Sequence, residues 1–211
     1  MDGWYEDFAA AYVRGSLAGA TDGRSNAELL ALGRAAGLKL HRFKRTMGLP
    51  RIRAVLGALR GIAPTHLLDI GTGRGVFLWP LLDAFPSLMV TAVERDDVRR
   101  RHLDAVRQGG VARLRVLAAD ACDLPFEDRA FEVVTALEVI EHQQDPAALA
   151  REAVRVASRF VIASVPSKPD DNPEHVQLFT GDSLEALLLT AGATRVKITY
   201  VLNHIIAVAG I

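Results

Sequence analysis

The stretch His66-Leu67-Leu68-Asp69-Ile70-Gly71-Thr72-Gly73-Arg74-Gly75-Val76-Phe77-Leu78 decides the fold. An apolar run holding one acid leads into a turn with glycine at every second position, and an apolar helical pattern follows. Without side chains at Gly71, Gly73 and Gly75 the turn can bend sharply and a ligand can lie against bare backbone. A helix beginning near Gly75 is expected to aim its unpaired N–H groups at that ligand. The spacing excludes one class: a dinucleotide-binding turn reads Gly-x-Gly-x-x-Gly, and its third glycine would fall on Val76. Asp69 places a negative charge just before the turn, which repels a pyrophosphate and attracts an ammonium or sulfonium.

Outward from this turn, from about Thr65, short apolar and β-branched runs alternate with helical patterns, the signature of a parallel sheet flanked by helices. Strands are expected at His66–Ile70, Met89–Glu94, Arg113–Ala118, Phe131–Leu137, Arg159–Val165, Arg195–Tyr200 and Ile205–Ala209. Helices are expected at Gly75–Ala84, Asp97–Gln108, Pro146–Val156 and Asp182–Ala191, the last stopped by Gly192. Only Val201, Leu202 and Asn203 separate the runs Thr194–Tyr200 and His204–Ala209 that hold the last two strands, too few for a parallel crossover, so these form an antiparallel hairpin. The start of the chain reads instead as helices broken at Gly19–Asn26 and at Gly48-Leu49-Pro50. There Ser25 followed by Glu28 is a capping box that starts a helix running through Ala36. The expected division is an N-terminal helical cap or lid, residues 1–62, and a ligand-binding α/β domain, residues 63–211.

Composition sets the outer bounds. At 211 residues, half of them apolar, the chain can bury one good core. Its 25 basic and 25 acidic side chains cancel, so overall charge points to neither a nucleic acid nor a membrane surface. A single cysteine, Cys122, excludes an internal disulfide and any multi-cysteine zinc site. With no histidine or lysine near it in sequence, Cys122 reads as a packed small residue rather than a nucleophile. The acidic beginning, Met1 to Asp7, is unlike a secretory signal, and no apolar run approaches the ~20 residues needed to span a bilayer, so a cytoplasmic location is expected. Charge is unevenly spread, however. Between Leu29 and Leu68 there is no acid, while Arg34, Lys39, Arg42, Lys44, Arg45, Arg51, Arg53 and Arg60 accumulate; Asp120 to Glu152 is strongly acidic. Either the two stretches are solvated faces or pair with each other, or the basic one is a lid that recognises an anionic substrate such as phosphate, carboxylate or RNA.

Three further groups sit where strands end. Glu94 closes the second strand, about twenty residues past the glycine turn, where an acid in an open parallel sheet accepts hydrogen bonds from ribose hydroxyls. Asp120 closes the third; its carboxylate can accept from an adenine amino group while the Ala121 N–H donates to a ring nitrogen. Ala136-Leu137-Glu138-Val139-Ile140-Glu141-His142 closes the fourth, beside the first strand at the switch point where such sheets hold their ligand. Asp69–Gly75 resembles motif I of the class I S-adenosylmethionine-dependent methyltransferases. Asp123-Leu124-Pro125-Phe126-Glu127-Asp128-Arg129-Ala130-Phe131-Glu132-Val133-Val134 resembles a segment of the branch that includes the ubiquinone and menaquinone C-methylating enzymes, with Glu132 where that branch carries Asp. The resemblance runs from about Pro64 to the C-terminus and implies a Rossmann-like three-layer sandwich, a mostly parallel seven-stranded α/β sheet ending in an antiparallel hairpin. It implies S-adenosyl-L-methionine as cofactor, held by Asp69, Gly71, Thr72, Gly73, Gly75, Glu94, Arg95, Asp120, Ala121 and Leu137. It also implies methyl transfer to an acceptor that the motifs do not identify, expected to be a small molecule, and no oligomeric state.

If the acceptor is a hydroxyl or an acidic carbon a base helps, and His142, His175 and Glu138 are the candidates. The run Glu138, Glu141, His142 with His175 is also similar to the metal-binding run of the small-RNA 3′-terminal 2′-O-methyltransferases, and such side chains are credible magnesium, manganese or iron ligands. That family adds histidines and aromatics absent here, and His175…Phe179-Thr180 recurs in metal-free relatives, so no metal is expected. The acceptor pocket is expected among Trp4–Tyr12 and Lys39–Arg45 with the loop Ser164–Phe179, where Trp4, Tyr5 and Tyr12 either wall the pocket or pack the cap. Rival readings are an NAD-dependent oxidoreductase, which lacks its third glycine at Val76, and a non-catalytic adenosylmethionine-binding module.

Overall fold

A computed structural model describes residues 5–45, 48–169 and 174–211; Trp4 and part of the loop after the fifth strand lie outside the described residues. The strands are β1 (His66–Ile70), β2 (Met89–Val93), β3 (Leu114–Leu117), β4 (Phe131–Leu137), β5 (Ala157–Pro166), β6 (Arg195–Val201) and β7 (His204–Gly210). Among the described residues they form one seven-stranded sheet in the order β3-β2-β1-β4-β5-β7-β6. The first five strands run parallel, and β7 is antiparallel to both β5 and β6. The chain steps outward from β1 to β3 and then returns to β4 on the other side of β1, which opens a crevice at the carboxyl ends of β1 and β4.

Alternation along β1 explains why the sheet is covered twice. Leu67 joins one apolar cluster while Leu68 and Ile70 join the other, as the two-residue period of a strand requires. The first cluster takes side chains from α1 (Glu6–Ser16), α2 (Asn26–Ala35), α3 (Pro50–Ile62), α4 (Leu78–Ala84) and α5 (Asp97–Gln108). The second takes them from α6 (Pro146–Val156) and α7 (Gly181–Thr190). The Ser25–Glu28 capping box opens α2 as expected, one residue of the helix shorter at its far end.

Element bounds shift by one or two residues in several places, as in β5, and two differences matter more. The helix after the glycine turn starts at Leu78, not near Gly75, because Gly75 sits at φ +83, a left-handed conformation no helix contains. The hairpin turn takes only Leu202 and Asn203, at φ 24 and 61, the paired left-handed residues of a tight two-residue hairpin. Val201 and His204 are therefore paired strand residues.

The N-terminal helices pack against the helical layer. A Cβ at Gly15 would stand 1.9 Å from the Ala105 carbonyl oxygen, and one at Gly109 1.7 Å from that of Ala11, so glycines on both partners let the α1 and α5 backbones touch. Tyr12 meets the ring of Phe43 at 5.5 Å, Phe43 meets Trp79 at 5.0 Å and Phe8 meets Trp79 at 5.8 Å. Tyr5 lies against Phe8 and under the guanidinium of Arg45. Tyr5 and Tyr12 thus pack the cap, and residues 39–45 lie with them rather than over the ligand crevice.

Candidate functional site

A cavity of about 660 Å³ opens at the carboxyl ends of the first four strands, inside the range of roughly 300–1,000 Å³ usual for small-ligand sites. It is lined by Asp69 in β1 with Gly71, Thr72 and Gly73 after it, by Glu94 and Arg95 after β2, and by Asp120 and Ala121 after β3. Leu137 at the end of β4, with Glu138 and His142 beyond it, lines the fourth side. Two expected residues do not line it. Gly75 turns inward, where a Cβ would come within 2.3 Å of the Trp79 indole, so its glycine admits that ring. His175 is absent from the lining, its ring 4.8 Å from that of His142.

The glycine turn is tied to the second strand. Gly71 and Thr72 give their N–H groups to the Val93 carbonyl, at 2.9 and 3.3 Å. The Gly73 N–H donates to Glu94 Oε2 at 2.7 Å, and Glu94 Oε1 accepts from the Asp96 N–H at 2.8 Å. At Gly73, φ +61, the only atom of the described residues, its chain neighbours apart, within 4 Å of a Cβ position is the Gly71 carbonyl oxygen, at 3.8 Å. The turn therefore offers an open cradle of bare backbone that any side chain would fill. A carboxylate has about four acceptor positions, so Glu94 keeps capacity for two hydroxyls while bracing the turn. Asp120 uses one oxygen on the Cys122 N–H at 2.9 Å, and its other oxygen remains for a ligand.

Asp69 is the buried charge beneath this bed. Burial pushes its carboxyl up to about 6, hydrogen bonds from Thr135 and Thr72 act against that, and the Glu94 carboxylate adds to it. Thr135 Oγ1 donates to Asp69 Oδ1 at 2.7 Å. Burial likewise pushes the Cys122 thiol up, with the neighbouring Asp120 and Asp145 carboxylates adding to it, which fits a packed side chain rather than a nucleophile.

The far end of the cavity holds groups that the sequence reading missed. Arg51 and Ile52, on the first turn of α3, are the residues of the N-terminal 62 that line it, among the described residues. Glu138 stands at φ 58, a left-handed backbone that costs a non-glycine residue about 1–3 kcal/mol. Its Oε1 accepts from Ser164 Oγ at 2.8 Å, its Oε2 lies 3.1 Å from His204 Nε2, and Arg51 Nε is 4.0 Å away. His204 reads in the sequence only as the first residue of the last apolar run, with no role at the site. The usable signal was direction: the first residue of an antiparallel strand lands at the carboxyl edge of its parallel neighbours. His142 Nδ1 lies 2.9 Å from the Glu174 carbonyl, which can only accept, so the proton is on Nδ1 there. Ligand atoms of Glu141, His142 and His175 lie within 4.8 Å of one another, but Glu138, the fourth expected metal ligand, is not in that group. The acidic stretch pairs with cations of its own neighbourhood, Glu152 with Arg155 and Glu132 with Arg159, while Arg45 meets Asp83.

Fold and site together define a Rossmann-like α/β protein with an open cavity at its switch point. Comparison with known proteins agrees. A family described as "Methyltransferase domain" matches residues 68–159. A probable S-adenosylmethionine-dependent methyltransferase of Mycobacterium tuberculosis is 30% identical over 136 residues, covering 60% of this chain and 47% of the relative. A demethylmenaquinone methyltransferase of Roseiflexus is 35% identical over 115 residues, covering 54% of this chain and 46% of the relative. Among solved structures, the Burkholderia thailandensis 1,6-didemethyltoxoflavin-N1-methyltransferase, with 1,6-didemethyltoxoflavin and S-adenosylhomocysteine bound, superposes with a TM-score of 0.64 at 20% identity, over 75% of this chain and 77% of that one. The chain spans about half the length of the first curated relatives it matches. Residues 68–159 thus match a methyltransferase domain, and the chain is similar there to proteins named as S-adenosylmethionine-dependent methyltransferases.

Proposed function

We propose that this protein transfers a methyl group from S-adenosyl-L-methionine to a small-molecule acceptor. The observation that carries the reading is the open backbone cradle at Gly73, braced by Glu94 and floored by the buried Asp69. In this reading Gly71, Thr72 and Gly73 bed the methionine part, Glu94 and Arg95 hold the ribose, Asp120 and Ala121 read the adenine, and Leu137 borders the reacting end. Gly75 acts indirectly, by seating Trp79 under the turn. Bound cofactor supplies an electrophilic methyl group on a sulfonium. The protein aligns the acceptor against it and excludes water, which is most of what such a displacement needs. His142, with its Nδ1 proton given to Glu174, offers the lone pair of Nε2 as a base. Glu138 is the second candidate base, whereas His175 serves as a neighbour of His142 outside the cavity lining.

Residues 1–62 act as a cap in this reading, with 63–211 as the binding domain, and Arg51 beside Glu138 supports an acceptor that carries an anionic group. Metal-dependent ribose methylation is disfavoured, since Glu138 is engaged by Ser164 and His204. No described helix is long and apolar enough to cross a membrane, in keeping with an acceptor taken from solution. Calorimetry tests the whole reading. S-adenosylhomocysteine should bind one to one and NADH not at all; a protein that ignores the first or takes up the second is not what we propose.

A further inference from the structure

We propose that His204 is a positioning residue of the transfer site, holding the Glu138 carboxylate as the hydrogen-bond acceptor for an O–H or N–H of the methyl acceptor. This rests on the methyltransferase reading above and adds the acceptor class. The argument starts from the ring of His204. Its Nδ1 lies 3.0 Å from the Leu202 carbonyl, which can only accept, so Nδ1 carries a proton. Its Nε2 lies 3.1 Å from Glu138 Oε2, and that contact needs a proton of its own, shared between nitrogen and carboxylate. The ring is thereby fixed at both ends, one on the hairpin turn and one on the cavity residue. Ser164, fully buried on β5, fixes Glu138 a second time: its carbonyl takes the Glu138 N–H at 2.9 Å and its hydroxyl donates to Oε1 at 2.8 Å. Two side chains thus hold a carboxylate whose backbone, itself tied to the Ser164 carbonyl, is in the left-handed region.

The topology explains the convergence. His204 pairs with Pro166 at the carboxyl end of β5, so an antiparallel strand delivers its first side chain to the ligand edge of the sheet. Glu138 lines the cavity while His204 and Ser164 do not, so these two act through it. After accepting one hydrogen bond on each oxygen, Glu138 retains lone pairs for a donor from the cavity side. A carboxylate held this way matches a protic acceptor atom, which a bare carbon acceptor does not offer.

Calorimetry with S-adenosylhomocysteine comes first, because loss of that binding in the unaltered protein would overturn the methyltransferase reading and not this one. Tritium transfer from S-adenosylmethionine is then followed to 4-hydroxyphenylacetate, 4-aminophenylacetate and, as carbon acid, nitroethane. The expected result is transfer to the hydroxyl or amino probe. His204→Ala should lower kcat for that probe by roughly 10- to 100-fold with KM for the cofactor unchanged. His204→Gln, which keeps a side-chain N–H facing Glu138, should recover most of the loss. In protein labelled with 15N histidine, Glu138→Gln should move the ring signals of one of the six histidines, the one missing from His204→Gln. Transfer to nitroethane alone or to no probe while S-adenosylhomocysteine still binds, an unchanged kcat in His204→Ala, or unmoved ring signals each overturn the proposal. A merely structural role would show as equal losses of thermal stability and cofactor affinity in both His204 variants, and that outcome also overturns it.

Discussion

Asp69 holds a charge that its own position disfavours. Its carboxyl sits at about 6 in the folded protein against an ordinary 3.8, so between those values the native state keeps a proton that the unfolded chain has lost. Its contribution to stability is therefore complete below pH about 4 and is lost as pH rises through about 6. Asp69→Asn should remove this dependence and gain about 1–3 kcal/mol over the parent protein by pH 7, read from denaturant titrations at several pH values. The same variant should bind the cationic cofactor more weakly, since the charge that destabilises the empty fold attracts an ammonium or sulfonium. Gly73→Val fills the cradle and should abolish S-adenosylhomocysteine binding without unfolding the protein, as calorimetry and circular dichroism would report. Glu94→Ala should weaken binding by about 1–3 kcal/mol, the value of a hydrogen bond to a charged group, or roughly 5- to 150-fold in Kd. Equal affinity in both variants would remove the nucleoside from this bed.

The contact of α1 with α5 depends on having no side chain where the two backbones cross. A methyl at Gly109 would overlap the Ala11 carbonyl, so Gly109→Ala must push the helices apart. Overpacking of this kind costs about 1–3 kcal/mol. We expect a fall in Tm with S-adenosylhomocysteine affinity kept, because the glycine turn and Glu94 are not part of that contact. The β6–β7 hairpin makes the opposite case. Leu202 occupies a left-handed position that suits Asn or Gly, and Leu202→Asn should raise Tm modestly, since asparagine adopts that conformation at lower cost than leucine. An unchanged Tm would show that the turn adapts to leucine at no cost.

One apolar cluster links Phe8, Tyr12 and Phe43 to Trp79, Leu82 and Leu103, so the N-terminal helices complete the helical layer rather than ride on it. A chain lacking residues 1–36 would expose Trp79, which is 2% accessible in the intact protein. We expect such a variant to bind a hydrophobic dye and to lose its near-ultraviolet dichroism while keeping much of its helix signal. Retention of cooperative unfolding would show that the sheet and its remaining helices form a sufficient core.

Local chemistry announced itself in the residues. Strand alternation, the capping box at Ser25, the short link before β7 and the glycine turn all act over a few neighbours, and each formed where its residues lie. Glu94, Asp120 and Glu138 reached one cavity because strand ends in a parallel sheet share an edge, a rule that needs only their order. Other features depended on partners distant along the chain. Gly75 was free to bend as expected, but that it seats Trp79 instead of lining the cavity followed from where α4 packs. Arg51 arrived from α3, and His204 from the far end of an antiparallel strand. Tyr5 and Tyr12 settled on the helical layer, away from the cavity. Periodicity records which face of an element is buried but not against what, and the identity of that neighbour is decided only when the elements pack.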